Sequence, residues 1–186
     1  MKHFPMHLLC LSSLFALGLV SCGGGDSSSS TSGSEDFTID DSGDMLGNGT
    51  KENPYVPLNA DHWEELEPLI TGKEIRYVGL KKDLDLTSIR HYEPLGSKAA
   101  PVFAHINGNG HTIKYVIDET LKEDRYGLFA DFSGVAENLV VDGNIEATSG
   151  ERGGYCGIFA GEIEPPKDYD NPVNTELRYL TVKGKI

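Results

Sequence analysis

The sequence predicts an all-β domain wound as a short parallel β-helix, and three observations predict it. Short apolar runs alternate with glycine-rich turns, with almost no helical periodicity. Two motifs return in the same order. Gly127-Leu128-Phe129-Ala130 recurs as Gly157-Ile158-Phe159-Ala160, and Leu139-Val140-Val141-Asp142-Gly143-Asn144-Ile145 recurs as Leu180-Thr181-Val182-Lys183-Gly184-Lys185-Ile186. The first pair is offset by 30 residues, enough for one coil of a solenoid and too few for the four antiparallel strands of a propeller blade.

The elements follow in chain order. Lys2 and the apolar run Leu8 to Val20 have the build of a secretory signal peptide, and the run is shorter than the ~20 residues of a membrane-spanning helix. It ends in Leu19-Val20-Ser21-Cys22, which resembles the lipobox of bacterial lipoproteins. That resemblance implies cleavage before Cys22, a lipid on its sulfur and an outer-membrane or cell-surface location. Each buried lipid CH₂ contributes ~0.8 kcal/mol, so two or three chains make release slow. Gly23 follows the Cys, where an Asp would be the familiar inner-membrane retention signal.

Residues 22–47 read as a flexible acidic linker, Gly-Gly-Gly and serines first and then Glu35-Asp36-Phe37-Thr38-Ile39-Asp40-Asp41. Residues 48–186 hold the folding domain. Asn53 to Leu58 reads as a short edge strand because of its prolines. Asp61 to Glu67 reads as one or two helical turns with Asn59 or Asp61 as N-cap, limited by Pro68. Trp63, Leu66 and Ile70 are spaced to share one buried face. Strands are expected at Ile75–Leu80, Leu84–Leu86 and Pro101–Ile106, and then at the alternating run in which Ile113, Tyr115 and Ile117 share a face opposite Lys114. In the repeats, Leu139, Val141 and Ile145 point inward, as do Leu180, Val182 and Ile186. Gly143 and Gly184 mark bends or close backbone approach. The second motif is offset by 41, so the second unit carries 11 extra residues, assigned to Glu164–Asn174.

The ordered set Gly-Asn-Gly-Thr-Lys-Glu-Asn-Pro-Tyr (47–55), Lys-Lys-Asp-Leu-Asp-Leu (81–86), Asn-Gly-Asn-Gly-His-Thr-Ile (107–113), Gly-Leu-Phe-Ala and Asn-Leu-Val-Val-Asp-Gly resembles bacterial surface proteins with GLUG-type repeats. The resemblance covers residues 47–186 and implies a right-handed parallel β-helix in an adhesin-like surface lipoprotein. The chain departs from the family pattern at Asn107, often Asp, and at Ala130 and Ala160, often Gly.

Charge excludes some partners. The chain has 16 basic and 29 acidic residues, a net −13, and a field of that sign repels nucleic acid and anionic head groups. Of three cysteines, Cys10 leaves with the signal peptide and Cys22 is acylated, so Cys156 stands alone and is expected as a buried structural thiol. No nucleotide loop, HExxH or GxSxG occurs. His62, His91, His105 and His111 lack metal spacing, so no metal or cofactor is expected. Asp118, Asp131 and Asp142 are the acids that could gather on one wall if the domain were a polysaccharide hydrolase or lyase. The candidate binding loop is Asp168-Tyr169-Asp170, an aromatic flanked by charge within the insertion.

The expectation is a non-catalytic surface lipoprotein, an adhesion or interaction module for a surface glycan or protein. The alternatives are a polysaccharide-acting β-helix enzyme or its remnant, and a shortened relative of longer repeat proteins. The last coil is expected to be uncapped within this chain, either as in a shortened relative of longer proteins or with another chain covering its edge.

Overall fold

The computed structural model describes residues 43–118, 125–146, 154–165 and 174–186. The chain divides into two units, Met1–Thr38 and Ile39–Ile186, and the β architecture belongs to the second. Two short helices, α1 (Ala60–Glu65) and α2 (Glu67–Ile70), precede nine strands: β1 (Arg76–Gly79), β2 (Leu84–Asp85), β3 (Val102–Asn107), β4 (Thr112–Ile117), β5 (Arg125–Tyr126), β6 (Phe129–Ile145), β7 (Tyr155–Cys156), β8 (Ala160–Ile163) and β9 (Glu176–Lys185). The class is all-β, as expected.

Every strand pair is parallel, and the sheet curls. β6 takes β3 and β4 on one side and β8 and β9 on the other, each along a different part of its length. The bend falls at Asn138, which adopts a left-handed backbone at φ 51. Asn109, between β3 and β4, and Tyr179, in β9, turn the same way, at φ 51 and 50. Asn tolerates this conformation because its short polar side chain bonds locally, whereas Tyr does not.

The register follows the repeat. Leu139 pairs with Leu180, Val141 with Val182 and Asp142 with Lys183, as the sequence motif demands. Side chains of one type therefore stack in columns. Val78, Ile106, Ala136 and Leu177 form one inner column, and Leu84, Ile113, Val141 and Val182 a second. All but the last member of each are buried. At ~1.5–3 kcal/mol per large buried side chain, these columns add to the apolar core that Trp63, Tyr115, Phe129 and Phe132 also fill. Gly143 and Gly184 are held by crowding. A Cβ on Gly143 would lie 2.5 Å from the Tyr115 ring, and one on Gly184, at φ +137, would lie 1.7 Å from the Gly143 carbonyl oxygen.

The helices pack their apolar face into the core. Asn59 caps α1, its side chain accepting from the His62 backbone N–H at 2.8 Å. Trp63, Leu66 and Ile70 are fully buried on one face. Trp63 packs on Phe129 and donates to the Tyr92 hydroxyl at 3.2 Å, which in turn donates to the Leu128 carbonyl at 2.7 Å. His62 ties down the incoming chain: its Nδ1 accepts from the Leu58 N–H at 3.2 Å, so Nε2 donates to the Gly43 carbonyl at 2.7 Å. The segment expected as an edge strand at 53–58 is reduced to single bridges, Tyr55 with Val78 and Leu46 with Val56, because Pro54 and Pro57 leave too few donors for a ladder.

The insertion is divided differently from the expectation. Tyr126 pairs with Cys156, 30 residues on, but Phe129 pairs with Ala160 and Phe132 with Ile163, 31 on, and Val135 with Glu176, 41 on. One extra residue enters at the Gly157 turn and ten between Ile163 and Glu176. A match of residue types cannot see the single-residue slip, because Phe159 still turns into the core against Phe129 and Phe132.

Candidate functional site

The last coil, β7 to β9, is where the inner columns open. Leu177 is 42 % exposed, Val182 46 % and Ile186 73 %, while the equivalent Ala136, Val141 and Ile145 one coil below are buried. The inward placement of Leu180, Val182 and Ile186 was expected; Leu180 is half-buried against the core, and Val182 and Ile186 stand exposed, β9 being paired among the described residues with β6 alone. Tyr155, Ile163 and Tyr179 add to the same coil, Tyr179 being 83 % exposed. Six of the eight large hydrophobic residues that stand exposed among the described residues belong to this coil.

The outer face of the same strand is basic. Asp85 faces Lys114, Lys114 faces Asp142 and Asp142 faces Lys183, an alternating column of charge across four layers. It ends on a lysine. β9 carries Arg178, Lys183 and Lys185 against one acid, Glu176. Arg178 is engaged, with Nε donating to Glu176 at 2.7 Å and NH1 3.6 Å from Glu137, whereas Lys183 and Lys185 extend into solvent. An exposed apolar row beside a basic outer face makes a surface suited to recognition.

A second cluster lies beside it. Arg125 on β5 donates from Nε to Glu162 at 2.8 Å and stands over the Tyr155 ring at 5.4 Å. Asp131 is buried, with Oδ2 at 2.9 Å from the same Nε but off the N–H axis, so the pair is ionic without a hydrogen bond. Burial raises the Asp131 pKa and the Arg125 charge partly offsets this. Both acids are engaged by Arg125, and the arrangement reads as a clamp between two layers. Asp131 faces Glu162, and Asp142 faces Lys183 eleven residues along β6. The wall on which Asp118, Asp131 and Asp142 were to gather is therefore split between two columns.

Cys156 corrects another expectation. It is exposed, because β7 lies in the open coil, and desolvation of its thiol raises the pKa, which keeps it protonated and a poor nucleophile. His111 pairs with Asp83 at 3.2 Å and His105 with Glu137 at 2.9 Å. Among the described residues no group of three or more His, Cys, Asp or Glu could hold a metal ion. Asp168, Tyr169, Asp170 and Cys22 lie outside the described residues. The open edge needed no motif to be found: the repeat itself, ending on apolar residues that match a buried row, was the signal.

No family model matches the chain. It is 32 % identical over 111 residues, 56 % of its length, to a protein of Evansella cellulosilytica provisionally named a Gly-rich membrane protein, of which it covers 13 %. Its fold resembles the crystal structure of a candidate immunoglobulin A1 protease from Bacteroides ovatus. The TM-score is 0.56 at 24 % identity, covering 74 % of this chain and 40 % of that one. The chain thus spans well under half of either protein, and the structural likeness concerns the fold alone.

Proposed function

We propose that this chain is a non-catalytic cell-surface lipoprotein, anchored through Cys22, whose short right-handed parallel β-helix is an interaction module. One observation carries the reading. The columns of the core are buried from β1 and β2 through β6 and exposed at β9, where an apolar row lies beside basic residues. That surface suits recognition by strand addition. The near-constant spacing of partners, 28 residues from Arg76 to Ala104 and 28 from Thr112 to Val140, supports successive turns of one coil. The GLUG-type resemblance supports the handedness and the adhesin-like role. A membrane location accords with the name of the Evansella protein, and the lipobox-like Leu19-Val20-Ser21-Cys22 supports attachment through a lipid. The segment Asp168-Tyr169-Asp170, which precedes β9 in the sequence, is the second contact we assign.

The test uses the full chain exported by a Gram-negative host. Radiolabelled palmitate should enter the wild type and not Cys22→Ser. Cells bearing the wild type should adhere to at least one member of a panel of immobilised glycans and matrix proteins. Val182→Asp or Tyr169→Ala should lower that adhesion. Adhesion indifferent to both substitutions, or turnover of any glycan in the panel, would sink the reading.

A further inference from the structure

We infer that Asp131 and Glu162 act as a proton-accepting pair: acidification places one proton on Asp131, and the joint between β6 and β8 is firmer with that proton than without it. The two residues face each other across adjacent parallel strands, and like charges set directly opposite repel. Both side chains are withdrawn from water, Asp131 to 7 % exposure and Glu162 to 22 %. The Arg125 guanidinium that meets them both is 13 % exposed. Two carboxylates therefore share one cation.

Arg125 does not serve the two equally. Its Nε donates to Glu162 Oε2 at 2.8 Å, and Nη2 donates to the same oxygen. Asp131 Oδ2 stands 2.9 Å from that Nε, yet it is buried without a hydrogen bond among the described residues. Such an oxygen costs free energy as an anion and little as an acid. A proton turns the Asp131 carboxyl into a donor, with an acceptor carboxylate opposite.

The other charges nearby do not make up the balance. Glu164, just past β8, adds repulsion, and Lys98, in the loop before β3, adds attraction from an exposed position. On the other side of Asp131 the neighbouring layer is Leu95-Gly96, which meets β6 backbone to backbone. Glu67 of α2 accepts from the Gly96 N–H at 3.1 Å and brings a further acid. On β7, Tyr155 offers Arg125 its ring and Cys156 keeps its proton. Burial raises the Asp131 pKa, Arg125 opposes the rise, and Glu162 and Glu164 add to it. With the folded value above the unfolded one, the stability tied to this group is complete below the unfolded value. It is lost as pH rises through the folded value.

The experiment is carbon-13 NMR of the assigned side-chain carboxyls, on the full chain carrying Cys22→Ser, titrated from neutral to acid pH. The Asp131 midpoint is expected above the ordinary 3.8. Glu162→Gln should lower it, since the like charge is gone and Arg125 is left to Asp131. Urea denaturation supplies a second reading. The wild-type midpoint should gain on that of Asp131→Asn as pH falls from neutral, because only the wild type takes up the proton. An Asp131 titration at or below 3.8 overturns the inference, as does one that Glu162→Gln leaves in place. A wild type that loses ground to Asp131→Asn on acidification overturns it too. The NMR reading needs no Asp131 variant, so it decides the matter even where Asp131→Asn does not fold.

Discussion

Tyr179 holds the left-handed corner that Asn109 and Asn138 hold in the two preceding coils. A side chain with a Cβ and no local hydrogen bond carries ~1–2 kcal/mol of strain there, and at 83 % exposure the ring recovers little by burial. Tyr179→Asn should therefore raise stability by about 1 kcal/mol, read as a shift in the urea midpoint at unchanged slope. A loss of stability would mean the ring packs on something in solution. Asp83 and Asp85 in the first layers contribute a small acid-dependent term. A backbone hydrogen bond from Thr112 lowers the Asp83 pKa below its ordinary 3.8, and the Thr87 hydroxyl lowers that of Asp85. With folded values below unfolded ones, their stabilisation is complete above the unfolded value and is lost as pH falls through the folded value. Thermal melting from pH 5 down to 2 should show a smaller decline for Asp83→Asn than for the wild type. Identical slopes would assign the acid loss elsewhere. Both groups are largely exposed, so the effect is small.

At the scale of the elements, one strand type appears in two environments. Val141 in β6 is buried with a coil on each side, and Val182 occupies the same place in β9 with a coil on one side only. Val141→Ala should cost about 2 kcal/mol, from lost transfer energy and the cavity left behind. Val182→Ala should cost less than half as much. Equal costs in chemical denaturation would show that β9 is covered in solution. The charge column gives a further reading of register. Asp142→Lys sets a lysine between Lys114 and Lys183, with an expected loss of ~0.4–2 kcal/mol over the two pairs. Added salt should relieve part of it. No loss would place these side chains out of reach of one another.

For the molecule as a whole, the two ends of the stack differ in kind. The helical end buries Trp63, Leu66 and Ile70 and ties Gly43 to His62, while the β9 end presents its core to water. In a stack where each layer is held by its neighbours, the layer with one neighbour opens first. Amide hydrogen exchange should find the slowest protons in β3, β4 and β6 and the fastest strand protons in β9. Protection of β9 equal to β4 in the monomer would contradict an open end. Trp63 is the single tryptophan, so its fluorescence reports the helical end separately.

Much of this was legible in the residues. The repeat determined which strands stack and in which register, because identical inner residues can share a column only when their coils align. Leu139 over Leu180 and Asp142 beside Lys183 follow from that alone. The helix face of Trp63, Leu66 and Ile70 was equally plain, since its spacing is local. Only the tertiary structure decided what covers each column. It left Cys156 in the open coil, gave Asp131 to Arg125, and slipped the register by one at the Gly157 turn. The physical reason is that residue pattern encodes which way a side chain points, whereas burial depends on whether a further layer lies above it.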